Sequence, residues 1–481
     1  MINLIKNELI KVFRKKSIYI LAAIVVTISM CNCVMLKTSD NLVNSIDAGY
    51  YKMLEEELDS YDLNNPNDLG WYISDKSSIE FYKISKDYSY DSWQYYILES
   101  EAQPNITCMV NAEVDKNDEE YNSCKSALDT VVSDVKTKDW KYFVLRDQKL
   151  NDEEIELMKQ NIASASSDDK AVLELELDKL EFVKKGYEYR LKNDIPYGNS
   201  TASMIVDSYV NNGISYLSLN KDESVYQHAQ LLNKREVETE YREAEYILEN
   251  DISIESFGSA RDIFASEASV IIFFVLIVAI MVSGSIMADE FNKGTIKQLL
   301  LRPYSRGKIL ASKYITSIIV FVLFAIFYFG VNYVSYGIAE GFGSYFEPIV
   351  VYDYTINAIR EMNVFSYCLV TFSATIPYYL IFLTIAFALG TISGNSAVAL
   401  CGSFMFSIAI EIINSFAVMT KSKFLQFLPT LCFDWSDYVF GGLSKNQYCE
   451  LWSSVLVTVL TIVVIYALTY FVFKRKDIKN Q

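Results

Sequence analysis

Residues 289–314 read DEFNKGTIKQLLLRPYSRGKILASKY and lie between two stretches that are almost entirely apolar. ASVIIFFVLIVAIMVSGSIM precedes them and ITSIIVFVLFAIFYFGVNYVSYGI follows. A greasy chain that surfaces briefly into basic, proline-punctuated sequence is leaving an apolar phase and returning to it. Within the stretch, Gly294-Thr295 breaks the chain and opens a short helix. Ile296, Leu299 and Leu300 share its apolar face, and Pro303 stops it. Ser305 caps a second helix that runs into the next apolar segment. Isolated short helices are marginal in water and exposed leucines are unfavourable, so the apolar face is expected to need a partner.

Working outward, six segments are long and apolar enough to cross a bilayer: 18–36, 268–287, 315–338, 365–392, 396–419 and 453–473. A hydrocarbon core of ~30 Å needs ~20 apolar residues. The fourth segment contains Pro377 and is expected to kink or tilt there. Charge is segregated along the chain. Residues 37–262 hold 47 acidic and 24 basic side chains, and the remainder holds 13 and 19. A soluble acidic domain inserted into a basic membrane protein accounts for this division. The expected fold is an α-helical membrane protein with six transmembrane helices, an N-terminal interfacial elbow helix, and a mostly helical extracytoplasmic domain between the first two spans. The expected divisions are 1–36, 37–265 and 266–481, with the first loop at 288–313.

Orientation follows from the basic residues. Lys6, Lys11, Arg14, Lys15 and Lys16 precede the first span, with the single acid Glu8. Lys293, Lys297, Arg302, Arg306, Lys308 and Lys313 occupy the first loop, and Lys474, Arg475, Lys476 and Lys479 follow the last span. Six spans put all three regions on one side, which is expected to be the cytoplasm of a multi-pass cell-membrane protein with 37–265 outside. The first apolar run is longer than a signal core and lacks a small-x-small cleavage site, which predicts a retained anchor. Ahead of it, Ile2, Ile5, Leu9 and Val12 recur at helical spacing. This predicts an amphipathic helix in the inner interface, its lysines near anionic head groups.

In the acidic region, Leu173, Leu177, Leu180, Tyr187 and Leu191 form one helical stripe, with Ser167 as its expected N-cap, and Val237, Tyr241, Ala244 and Leu248 form another. The aromatic run from Trp71 to Tyr96 reads as helical-domain core or as a recognition surface. Cys108 with Cys124, and Cys432 with Cys449, are candidate disulfides if the compartment is oxidising. His228 is the single histidine, so a histidine-rich metal or catalytic site is excluded. Glu411 is the ionisable residue deepest within the six segments, and such residues face a bundle interior or a wet cavity. Three readings stand for Glu411: a polar point in a translocation route together with Pro377 and Tyr378, a structural hydrogen bond with a neighbouring span, or simple nearness to the outer interface. The segment KFLQFLPTLCFDW is expected to contain a short helix at the outer leaflet.

No catalytic apparatus is legible. A phosphate-binding loop needs G-x-x-x-x-G-K-[ST], but Gly307-Lys308 is followed by Ile309 and preceded by Arg302 where the first glycine belongs. HExxH, GxSxG and CxxC patterns are missing from the sequence.

The loop resembles the first cytoplasmic loop of ABC transporter permeases of the type 2 exporter class. The matching residues are Asp289, Glu290, Gly294, Thr295, Ile296, Leu299, Leu300, Arg302, Pro303, Ser305, Arg306 and Lys313. Asn7-Glu8-Leu9 with Lys11, and Phe13-Arg14-Lys15-Lys16, resemble that family's elbow helix. The resemblance covers residues 1–36 and 268–473. It implies a permease whose coupling helix docks on a separate ATPase subunit, a role it assigns to Glu290, Gly294, Thr295, Ile296, Leu299, Leu300, Pro303, Ser305 and Arg306. It also implies no cofactor on this chain, ATP and Mg on the partner, a second permease copy or homologue, contact with the lipid bilayer, and no nucleic acid. Export of a peptide or lipid-like compound, or self-protection against one, is the expected role. The inserted domain departs from compact members of the family and leaves the substrate unassigned. A different class, a membrane sensor whose external domain binds a ligand, lacks room for a cytoplasmic output domain.

Overall fold

The computed structural model describes residues 1–219, 227–250, 252, 259–270, 272–301, 303–419 and 428–476. Within that set, residues 35–48, 167–168, 267–270, 272–274, 300 and 418–419 are described by their backbone alone. The chain divides into two compact units, one formed by Met1–Cys33 with Gly258–Gln481 and the other by Val34–Phe257.

The first unit is a membrane bundle. Among the described residues, six helices are long and apolar enough to cross a membrane: Lys16–Val34, Val275–Asn292, Arg306–Glu340, Val364–Ser393, Ser396–Ala417 and Leu451–Arg475. The second and fourth spans are central, with 72% and 61% of their apolar windows buried against 11% for the sixth. Lipid tails are as apolar as leucine, so close van der Waals packing holds such helices together. Gly390 shows how close that packing is: a Cβ there would lie 2.2 Å from the Gly284 carbonyl oxygen. Polar pairs add to the packing. Ser29 donates to Asn332 between the first and third spans, and Tyr314 and Thr384 share a hydrogen bond of 2.7 Å between the third and fourth. Pro377 lies inside the continuous helix Val364–Ser393.

Helix boundaries depart from expectation at the first loop. The second span's helix, Ile272–Asn292, runs past residue 287 because no breaker intervenes before Gly294, which adopts φ +66°. Asp289 and Glu290 therefore sit on the helix, not in the loop. The third span's helix starts at Arg306, where Ser305 accepts from the Lys308 amide at 3.4 Å, so Lys313 is helical as well.

At the other end of the bundle, helix Ala260–Val270 belongs to the membrane unit, which moves the expected boundary at 265 back to Phe257. Arg261, 2% exposed, anchors it through the Pro348 carbonyl at 2.8 Å, and Phe264 packs edge-on against Tyr345. An antiparallel hairpin follows, Ile349–Asp353 with Ala358–Met362, in a region read from the sequence only as an outer loop. Its β-branched start, Ile349-Val350-Val351, favours the strand. Of the segment expected to hold a short helix, residues 420–427 lie outside the described residues, and Pro429–Cys432 forms a 3-10 turn.

The second unit is built of helices joined by turns, with no strand among its described residues. Its principal helices are Pro66–Ser85, Gln103–Val114, Asp118–Thr137, Trp140–Ser164, Ser167–Lys192, Thr201–Leu217 and His228–Glu249. Side-chain caps at Asn65, Asn117, Asp139 and Ser200 satisfy orphan amides at four of their N-termini. The helix expected to be capped by Ser167 begins one residue earlier, with Ser166 at the N-cap position. Phe81, Ile97, Ile106 and Phe143 centre its core, and Trp93, Tyr95 and Tyr96 pack around them. Trp71 and Tyr90 of the aromatic run remain exposed. Tyr241, Ala244 and Leu248 of the expected stripe are buried.

Gly390→Ala is expected to lower the stability of the detergent-solubilised protein by about 1–3 kcal/mol or more, because backbone cannot yield as a side chain does. Gly330→Ala, whose Cβ would meet nothing within 4 Å, should be neutral or slightly stabilising. Thermal unfolding monitored by size-exclusion fluorescence separates the two, and equal melting temperatures would refute the close helix contact.

Candidate coupling site

The N-terminal helix Ile2–Phe13 turns Leu4, Glu8 and Val12 into the protein. Of the expected apolar stripe, Val12 shares this buried face and Leu9 packs beside it, whereas Ile2 is largely exposed. Glu8, the single acid of the basic tail, stands one helical turn from each of two buried apolar residues, Leu4 and Val12. Its carboxylate accepts from Lys313 Nζ at 2.7 Å, and Lys313 also donates to Glu290 at 3.1 Å. Lys11 donates to Glu290 at 2.8 Å and to Glu8 at 3.1 Å. Two carboxylates and two ammonium groups thus alternate in a closed ring. Lys313 is 1% exposed, Glu8 and Glu290 are buried, and Lys11 lies half in solvent. Beside the ring, Lys15 pairs with Asp289 at 2.7 Å.

Burying a lone charge is costly; a pair is tolerated when geometry and additional hydrogen bonds offset desolvation. Every member of the ring has two opposite charges, and Lys313 also reaches the Ile286 carbonyl at 3.4 Å. Burial works to lower the Lys11 pKa, but Glu290 and Glu8 outweigh it and hold the value above 10.5. A raised ammonium pKa contributes stability at pH below its unfolded value and loses it as pH rises through the folded one. Lys11 is therefore charged at neutral pH.

The loop hangs from this ring. Thr295 donates its hydroxyl to the second Glu290 oxygen. Helix Ile296–Leu300 then folds its apolar side into the bundle core, leaving Ile296 3% and Leu299 5% exposed. This corrects the expectation that Ile296 and Leu299 form a face awaiting a partner: the chain's own spans cover them. The Leu300 side chain and Arg302 lie outside the described residues. What the loop leaves in solvent is Lys297, Gln298, Leu301 (86% exposed), Pro303 and Tyr304. A cleft of about 570 Å³ lies alongside, between the N-terminal helix and the loop, lined by Lys11, Arg14, Lys293 and Gln298 among others.

Arg306 performs a task the sequence did not suggest. Its guanidinium donates to the carbonyls of Phe473, Lys474 and Lys476 at 3.2, 2.9 and 3.1 Å, closing the end of the sixth span. Lys476 in turn donates to Thr391 and Ile392 carbonyls at the end of the fourth span and lies 4.3 Å from the Phe291 ring centroid. Cations at helix C-termini complement the macrodipole.

Elsewhere in the bundle, Tyr378 donates to Glu411 between the fourth and fifth spans, with Pro377 buried beside it. Cys432 and Cys449 are bonded in a disulfide, as are Cys108 and Cys124 in the acidic unit.

Residues 226–479 match a family described as "Protein of unknown function (DUF2705)". The chain belongs to that family. The match takes in Glu290, Lys313 and the loop but not the N-terminal helix. Over 211 residues the chain is 26% identical to the uncharacterized protein YhcI of Bacillus subtilis (strain 168). That likeness covers 42% of this chain and 64% of the relative's length. No solved structure matches the DUF2705 chain.

Lys313→Met should destabilise the protein by about 3–5 kcal/mol, since it removes the buried cation shared by two buried carboxylates. Lys11→Met should cost at most ~1 kcal/mol, because that ammonium is half in water. Chemical denaturation in detergent measures both. Equal losses would show that Lys313 does not hold the ring together.

Proposed function

We propose that this DUF2705 protein is the membrane permease subunit of an ATP-driven ABC exporter and that its first loop docks on a separate ATPase subunit. The observation that carries the reading is the charge ring. It braces a short interhelical loop against the N-terminal helix and both adjoining spans, so a push on the loop would be delivered to the bundle. The resemblance of residues 289–313 to type 2 exporter loops supports the same reading. In it, Glu290, Thr295, Ile296 and Leu299 form the mount, and Lys297, Leu301, Pro303 and Tyr304 form the surface offered to the partner. Gly294 and Ser305 set the turns at either end, and Arg306 ties the mount to the last span. ATP and Mg would be held by the ATPase, and a second permease copy or homologue would complete the transporter. The loop and both termini would face the cytoplasm, with the acidic unit outside. A peptide or lipid-like compound would be the cargo, and the Tyr378–Glu411 pair would lie on its route.

Orientation is tested by cysteine labelling in intact cells. A cysteine replacing Lys297 should resist a membrane-impermeant reagent until the cells are opened. Coupling is tested by co-purification with an ATPase encoded beside the permease gene. A buried leucine contributes ~1.5–3 kcal/mol, so Leu301→Asp with Tyr304→Ala should weaken the complex tenfold or more. Permease melting should be unchanged in that variant. Leu299→Asp should instead lower the melting temperature of the permease itself. Undiminished binding by the Leu301→Asp, Tyr304→Ala protein would remove the docking assignment.

A further inference from the structure

The acidic unit contains a cleft of about 360 Å³. It lies where helices Trp140–Ser164, Ser167–Lys192 and Thr201–Leu217 meet the π-helical turn Leu98–Ala102. One wall carries three carboxylates, Glu101, Asp147 and Asp207, and two guanidinium groups, Arg146 and Arg190. The arginine donors are directed into that wall. Arg146 grips Glu101 with both terminal nitrogens and gives its Nε to Asp147 at 3.0 Å. Arg190, almost wholly buried, donates to Asp207 at 2.6 Å, to Ser203 at 3.0 Å and to the Pro196 carbonyl at 2.9 Å. The carboxylates keep capacity in reserve, since each ionised group offers about four acceptor positions. All three are partly exposed, and the wall carries one more formal negative charge than positive.

Three tyrosines line the same cleft, and the Arg190 guanidinium lies 4.7 Å from the Tyr197 ring centroid. Tyr96 and Tyr197 stack with centroids 5.3 Å apart, and Tyr187 lines the same cleft. Tyr197 donates to Asp147 at 2.9 Å. The hydroxyls of Tyr96 and Tyr187 have no hydrogen-bond partner among the described residues. Burial raises the pKa of both phenols. Asp207 beside Tyr96 and Asp147 beside Tyr187 raise them further, against the opposing arginines. Glu101 stands on the π-turn, a backbone departure that recurs at functional sites.

We propose that this cleft binds a guanidinium or ammonium side chain of a peptide, held by the remaining lone pairs of Glu101, Asp147 and Asp207 and by the hydroxyls and unstacked ring faces of Tyr96 and Tyr187. A cation over a tyrosine face gains attraction from the ring quadrupole. An anion would meet a negative wall whose arginines are already engaged. The surplus of acidic residues across 37–262 would steer a cationic ligand toward the unit. The proposal does not rest on the coupling assignment, because binding here requires no ATPase.

The test is calorimetric titration of the full-length protein in detergent with acetylated tripeptide amides. Gly-Arg-Gly, its uncharged citrulline isostere and Gly-Glu-Gly serve as probes. The arginine peptide should saturate one site per chain, at least about tenfold tighter than the citrulline peptide, with no binding of the glutamate peptide. Ser100 is exposed, lines the cleft and bonds only within its own turn, so Ser100→Lys should leave melting unchanged while filling the cleft with a cation. That variant should lose arginine-peptide binding, and Tyr187→Phe should weaken it roughly threefold or more. Equal affinity for the arginine and citrulline peptides, no saturable binding, or binding that survives Ser100→Lys would overturn the proposal.

Discussion

The membrane unit depends on one closed circuit of charge. Glu8, Lys313, Glu290 and Lys11 alternate in sign, and three of the four are withdrawn from water. None of the buried three could stand alone there; each is tolerated because two opposite charges face it. The circuit joins segments separated by 305, 279 and 23 residues, so it forms only when the N-terminal helix, the end of the second span and the start of the third have come together. A low-dielectric environment strengthens such a network when it is complete and penalises it when a buried member is missing. The first loop inherits its rigidity from this circuit through Thr295 and from the core through Ile296 and Leu299.

The same end of the bundle gathers the other chain segments. Arg306 closes the last turn of the sixth span, and Lys476 closes the last turn of the fourth while resting against Phe291, next to Glu290. Helix termini leave four carbonyls unsatisfied, and a cation is the natural partner for them. The basic residues on which the expected orientation rests therefore also serve as caps and ring members. At the opposite end the devices differ: the anchored helix Ala260–Val270, the hairpin, and a disulfide next to the sixth span.

Much of the helical content was readable from local pattern. Hydropathy over some twenty residues reports a span without reference to any other part of the chain. Period-four stripes such as Tyr241, Ala244 and Leu248 identified a buried face. Ser305 announced the third helix through capping chemistry that acts over three residues. The hairpin was missed although Ile349-Val350-Val351 favours a strand, because a two-stranded pair needs its partner's register before it is stable. In the acidic unit the stripes were legible, but the cleft was not, since Glu101, Arg146 and Arg190 lie far apart in sequence.

The sequence by itself determined six apolar helices, the segregation of acid from base, and a loop with an apolar face at residues 296, 299 and 300. It could not say what covers that face. Periodicity is the same whether the cover is a partner or the chain's own spans, and only the packing of Ile296 and Leu299 into the bundle decided for the spans. The same holds for charge. A lone Glu8 among five cations reads as incidental in one dimension. It becomes the base of the structure only when Lys313 is brought within 2.7 Å, because electrostatic energy depends on distance and burial and not on order along the chain.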